Sequence, residues 1–190
     1  DEAGIVMMNE VRYGVKEYEN NYRKTMEVAT QPNLALGKKV TLHTSPKKYA
    51  KEDPQVLTDG ALGGNSFFAN WLGFEGNDMI AVVDLAEIKS ISSISTGFLQ
   101  VTNHVVFYPL EVSYSYSVDG ENFIQLERVK NDAPLNKKSK VNDIKYFNVK
   151  FDQIEAKYIK VEAKSMKEPP YWHHAAGTNS WIFADEIMID

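Results

Sequence analysis

Leu110, Val112, Tyr114, Tyr116 and Val118 alternate with Glu111, Ser113, Ser115 and Ser117. Only an extended strand, whose successive side chains point to opposite faces, turns that order into one apolar and one polar surface. Asp119-Gly120 follows, a dipeptide that accepts the positive φ angles of a tight hairpin, and Phe123-Ile124-Gln125-Leu126 begins the return. Further strands read at Val40–His43, Met79–Leu85, Ile91–Leu99, Ile144–Phe151, Lys157–Ala163 and Ile182–Ile189. About eight short strands with turn residues between them, and no helical period after Asn33, predict an all-β antiparallel sandwich.

Residues 1–32 are different. Ile5, Met8, Val11, Val15, Tyr18, Tyr22 and Met26 recur every three or four positions, which predicts one face of a helix closed by Pro32. We expect 1–32 to be a helical linker or the tail of a preceding domain, and 33–190 to be the sandwich. The chain opens on Asp1-Glu2 with neither a basic nor an apolar leader, as if cut from a longer polypeptide. A net charge of −5 argues against a nucleic-acid groove or an anionic-membrane patch, both of which need clustered Lys and Arg. With no cysteine, a disulfide framework and a thiolate metal site are both excluded. No apolar run approaches the ~18 residues of a membrane-spanning helix.

The irregular segments carry the chemistry. Residues 57–76 (LTDGALGGNSFFANWLGFEG) combine an Asp-Gly turn with four further glycines, two asparagines and four aromatics, a composition able to turn carbonyls inward. Calcium takes six to eight oxygens, mixing carboxylates with backbone carbonyls. Asp59 and Glu186 are the carboxylates best suited to it, with Asn65 or Ser66 as further oxygens. The alternative is an Asx-turn aspartate and a surface glutamate. His104, His173 and His174 lack a metal-ligand spacing, and as hydrogen-bonding groups in a polar pocket they make better sense. No nucleophile elbow, P-loop or dinucleotide fingerprint is present, and no spacing fixes a carboxylate pair for acid–base work. Trp71, Trp172 and Trp181 all lie in or beside long loops. They serve either as platforms for a sugar's C–H face, rimmed by Gln100, Asn103, His104, His173, His174 and Asn179, or as plugs at the ends of the core.

Five short motifs then occur in the order of one family. NLALGKKVT (33–41), LTDG (57–60), SVDGENFIQL (117–126), AKYIKVEA (156–163) and FADEIMI (183–189) resemble the discoidin, or coagulation factor 5/8 type C, domain, also called the family 32 carbohydrate-binding module. NWLGFEG (70–76), GFLQ (97–100) and WHHAAGTNSWIFADEI (172–187) look most like C-terminal modules of bacterial β-hexosaminidase-type glycosidases. The resemblance implies an eight-stranded jelly-roll sandwich of the galactose-binding-domain type, with a structural calcium held by Asp59, Glu186 and the 57–66 turn. The loop DGALGGNSFFANW is longer than the family's usual one, and its usual threonine oxygen has no counterpart, so Asn65 and Ser66 stand in. It further implies a sugar site mapped onto Trp71, Gln100, His104, Trp172, His173 and Trp181. A non-catalytic module follows, tethering a secreted bacterial glycoside hydrolase to glycans bearing galactose or N-acetylhexosamine. The alternative is a structural domain packed on the catalytic domain without a sugar site. Animal relatives bind phospholipid through apolar spikes, which Phe67-Phe68 or Val105-Val106-Phe107 could mimic, but the supporting basic charge is missing.

Overall fold

A computed structural model describes residues 32–47, 52–64, 70–133, 135 and 143–190. Seven strands follow one another: β1 (Lys39–Leu42), β2 (Leu72–Glu75), β3 (Met79–Gln100), β4 (Glu111–Ser117), β5 (Ile124–Lys130), β6 (Asp143–Lys164) and β7 (Trp181–Ile189). Two short 3-10 turns, Pro54–Leu57 and Thr102–His104, are the only helical elements among the described residues. None is long and apolar enough to cross a membrane. The predicted helix over residues 5–26 lies outside the described residues.

β3 and β6 run antiparallel from the Met79–Ala163 pair to the Gln100–Asp143 pair, and their register slips between Asp84 and Lys89 and between Ile91 and Ser93. At this corner Ala86 takes a left-handed φ of 72°, with its N–H held by Asp84 Oδ1 at 2.8 Å. Bulges bend strands, and here they fold one hydrogen-bonded ribbon into two facing layers. Before the bend of β3 the layer reads β1–β3–β6–β4–β5; beyond it, β2–β7–β3–β6. Tyr114, central in β4, spans the gap: its hydroxyl donates to the Phe147 carbonyl at 2.6 Å and meets Thr96 Oγ1 at 3.1 Å on the opposite layer. Val112, Tyr114, Ile159 and Val161 from one layer and Ile94, Phe98, Phe147 and Ile187 from the other fill the space between.

The architecture is the all-β antiparallel sandwich that the alternation predicts, of the jelly-roll type that the resemblance implies, with three differences from the predicted strands. Met79–Leu85 with Ile91–Leu99, and Ile144–Phe151 with Lys157–Ala163, are each one bent strand rather than two. Residues 86–90 and 152–155, which fall between predicted strands, are corners in continuous strands. The edge strand β2 hides in the glycine-rich stretch, because four residues reading LGFE have no period to detect.

Side-chain bonds to the backbone close both the β4–β5 hairpin and the chain's beginning. In the hairpin, Asp119 Oδ1 accepts the Glu121 and Asn122 amides, both at 2.8 Å, and Gly120 sits at φ 83°. Hydrogen bonds to the ionised form, the Asn122 side chain's foremost, hold the Asp119 carboxyl well below the ordinary range. At the chain's beginning, Asn33 Oδ1 accepts the Ile189 amide at 3.2 Å, while the Leu34 amide donates to the Ile189 carbonyl at 2.7 Å. The first described residues are thereby sewn to the last strand.

Candidate functional site

Two structures share one end of the sandwich, an acidic turn and an open groove, with Trp71 between them. The turn is built first by local chemistry. Asp53 caps the Pro54–Leu57 turn through the Gln55 amide at 3.0 Å, and buried Thr58 anchors its end to the Lys38 carbonyl at 2.8 Å. Gly60 then takes φ 80°, and Asp59 Oδ1 accepts the Ala61 amide at 2.9 Å, closing an Asx turn.

β7 meets this turn with two consecutive carboxylates. Thr96 pairs with Ile187 and Phe98 with Ala184, so Asp185 and Glu186 together oppose Gly97. Two residues against one is a β-bulge, which re-aims side chains that would otherwise point to opposite faces. Only glycine fits at 97: a Cβ there would lie 2.3 Å from Asp185 Oδ1. Both carboxylates are buried. Asp185 accepts the Gly63 amide at 3.0 Å and the Glu186 amide at 2.5 Å; Glu186 Oε1 accepts the Gly60 amide at 2.8 Å. Burial pushes the Asp185 carboxyl up to about 6. Burial, followed by the close approach of Asp59, pushes the Glu186 carboxyl up to about 8. Glu186 Oε2 is buried without a hydrogen-bond partner. Among the described residues no group of three or more His, Asp or Glu side chains is arranged to hold a metal. A hard cation here would therefore rest on Asp59, Glu186 and oxygens of the turn. The donor set is all oxygen, and Glu186 keeps one buried carboxylate oxygen unpartnered, so the residues present fit calcium.

The groove lies on the other side of Trp71. Val101 and Val106 bridge to each other, and the 3-10 turn Thr102–His104 between them ends on Val105 at φ 57°. The Trp181 amide donates to the Val105 carbonyl at 2.8 Å, and the Phe107 amide to the Trp181 carbonyl at 3.0 Å. The loop is thereby fastened to the first residue of β7. The longer loop 165–180 is fastened by His173, which is buried. Its Nδ1 accepts the Ala175 amide at 3.1 Å, which leaves Nε2 carrying the proton it donates to the Thr102 carbonyl at 2.6 Å. Between the two loops opens a groove of about 360 Å³, with Asn103, His104, His174 and Thr178 on its polar rim and Val105, Val106, Ala175, Trp181 and Phe183 as its apolar part. Hydrogen-bond donors and acceptors around an aromatic wall suit a polyhydroxylated ligand with an apolar face.

Of the sequence-predicted residues, His104 and Trp181 are brought together in this groove. Trp71 is fully buried among Leu99, Val101, Val106, Ile144 and Phe183, and its indole N–H donates to the Gly64 carbonyl at 3.0 Å. It is the core plug, the second of the two roles the sequence left open, and presents no face to a ligand. Gln100 Oε1 accepts the Tyr108 amide at 3.4 Å and so braces the loop. Trp172 is half-buried, its ring 6.0 Å from that of His173, and is not among the groove's lining residues. Both nitrogens of His173 are engaged in the scaffold, which corrects its expected ligand role. Asp59 lies beside Glu186; Asn65 and Ser66 lie outside the described residues. Asn103 and His174, which the sequence offered as rim residues, also line the groove, whereas Thr178 and Phe183 were not singled out for it.

The sequence pattern of the F5/8 type C domain family matches residues 40–183. No curated protein matches the chain. Among solved structures, chitosan-binding module 1 from a Paenibacillus sp. IK-5 chitosanase/glucanase is similar at a TM-score of 0.54 and 15% identity, covering 84% of this chain and 99% of that one. A Streptococcus pneumoniae fucose binding module gives 0.52 and 11%, covering 84% and 98%. A Clostridium perfringens module solved with GalNAc-β-1,3-galactose gives 0.53 and 16%, covering 83% and 99%. At these identities the likeness is one of fold.

Proposed function

The chain belongs to the F5/8 type C domain family, and from that premise we propose that it is a non-catalytic carbohydrate-binding module. Its ligands are glycans carrying galactose or N-acetylhexosamine, and its part in a larger secreted bacterial protein is to hold a glycoside hydrolase of the same polypeptide against them. The groove carries this reading: an aromatic wall with two imidazoles, an amide and a hydroxyl at its rim, and no carboxylate or ammonium among its lining residues. The half-buried Trp181 offers the aromatic face that attracts the C–H face of a pyranose, while the rim exchanges hydrogen bonds with its hydroxyls. The similar modules described for chitosan, fucose and a GalNAc disaccharide support the class of ligand. A single open site of this size binds weakly, and repeated modules or clustered glycans supply avidity.

Calcium has a structural part in the proposal. Asp59 and Glu186 would hold it together with the turn, and the ion would supply positive charge between carboxylates that otherwise repel one another. The chain's own residues keep that turn closed through the Gly60 and Gly63 amides.

A broad glycan array tests the sugar reading. Saturable binding by the wild-type chain is expected, and its loss in the His104→Ala/His174→Ala variant with an unchanged melting curve. A folded wild-type chain silent across the array would sink the reading in favour of an interaction domain without a sugar site.

A further inference from the structure

Tyr171 is the only exposed large aromatic side chain among the described residues, with 92% of its surface open to solvent. One exposed tyrosine is ordinary on a protein surface. Here the surrounding backbone is fixed while the ring is not covered. Pro169 is buried on one side and His173 on the other. The His173 amide donates to the Pro170 carbonyl at 2.9 Å, closing a turn whose two central residues are Tyr171 and Trp172. Pro170 restricts the approach to that turn. His173 then pins it to the opposite loop through the Thr102 carbonyl, and the Ser180 amide ties the far limb to the Lys167 carbonyl at 2.8 Å. Trp172 packs inward toward His173, leaving Tyr171 as the outer member of the pair.

The turn also adjoins the groove. Tyr171 precedes the groove residue His174 by three positions, and three trans peptides span at most about 11 Å between Cα atoms. A ligand seated between His104 and His174 that continues past the groove toward this loop would meet the phenol ring of Tyr171 next. A tyrosine loses little conformational freedom on such a contact, because its two side-chain torsions are all that must be fixed.

Building on the sugar reading, we propose that Tyr171 is the platform of an outer subsite that takes a second pyranose ring, so that the module recognises the end of an oligosaccharide rather than an isolated sugar. The C–H face of the second ring lies on the phenol face, and the Tyr171 hydroxyl is free to exchange a hydrogen bond with a ring substituent. Trp172 and His173 act behind it as supports.

Calorimetric titration with one-ring and two-ring probes tests this: N-acetylgalactosamine against GalNAc-β-1,3-galactose, and N-acetylglucosamine against its β-1,4-linked dimer. The wild-type chain is expected to bind the two-ring member of at least one pair about five- to tenfold more tightly. Tyr171→Ala should erase that gain, and Tyr171→Trp should keep or enlarge it. Melting curves of both variants should overlay the wild type, since the ring touches no core. Binding with equal affinity for one and two rings, or a two-ring gain that survives Tyr171→Ala, overturns the subsite while leaving the groove intact. No binding to either pair overturns it too, and the array then decides whether the sugar reading falls with it.

Discussion

The acidic turn and the groove are neighbours with opposite ways of handling polar groups. In the turn, Asp185 and Glu186 are withdrawn from water and met by backbone amides of Gly60 and Gly63. In the groove, His104 and His174 stay exposed beside tryptophan and phenylalanine. Buried carboxylates with an unsatisfied oxygen suit the structural cation proposed for this turn. Exposed imidazoles beside an aromatic wall describe a place for something that comes and goes. Trp71 is the partition: Gly63, whose amide holds Asp185, comes so close to the indole that a Cβ there would lie 2.3 Å from the ring, while Phe183 and Val106 on its other side line the groove.

Removing the partition should produce the largest effect. Trp71→Ala empties a fully buried site and strips the Gly64 carbonyl of its donor. A loss of about 3–5 kcal/mol is expected, measured as a shift in the denaturant midpoint. Both the cation response and sugar binding should fall together. If the variant keeps either one at wild-type strength, the two regions are independent of this residue.

The second test separates the regions by pH. Glu186 titrates near 8 in the folded chain and in the usual carboxylate range when unfolded, and Asp185 near 6. The folded state then binds more protons than the unfolded one across that window, so stability falls as pH rises from about 4 to about 8. Calcium favours the ionised form of Glu186, so excess calcium should flatten the slope and chelator should expose it. At a calcium concentration about a hundredfold above its dissociation constant, the gain is about 2.7 kcal/mol. Asp59→Ala should abolish the difference between calcium and chelator in thermal melts, and Glu186→Gln should flatten the slope without any calcium. Identical melting curves in calcium and chelator across this range would remove the ion from the turn.

How far these regions could be read from sequence depends on what each one is made of. The layers were legible because alternation such as Val112-Ser113-Tyr114 maps directly onto a half-buried strand, and the Asp119-Gly120 hairpin because its dipeptide suits a tight turn. The meeting of Asp59 with Glu186 came from the resemblance, since no local period links two residues so far apart in the chain. What stayed hidden was set by bulges and close approaches. The pairing of Asp185 and Glu186 against Gly97 depends on a register slip that leaves no mark in composition. Trp71 and Trp181 look alike in sequence, yet Gly63 makes room for one inside while the Val105 carbonyl holds the other at the groove.

The adjacent histidines give the finest version of the comparison, because the two ways of handling a polar group occur there in consecutive residues. Their rings lie 4.3 Å apart, one with both nitrogens bonded to the scaffold and the other on the groove wall. His173→Ala leaves the buried Thr102 carbonyl and the Ala175 amide without these partners and opens space beside Phe107. It should cost about 2–3 kcal/mol of stability and loosen sugar binding only through the loop it pins. His174→Ala should move stability by no more than about 0.5 kcal/mol and weaken binding of GalNAc-β-1,3-galactose about tenfold, a loss of about 1.4 kcal/mol. Denaturant titration of both variants beside calorimetry reads the two quantities separately. A stable His173→Ala chain, or one in which the histidines exchange roles, would mean that the loop is pinned elsewhere and that burial does not divide scaffold from ligand site at this end of the molecule.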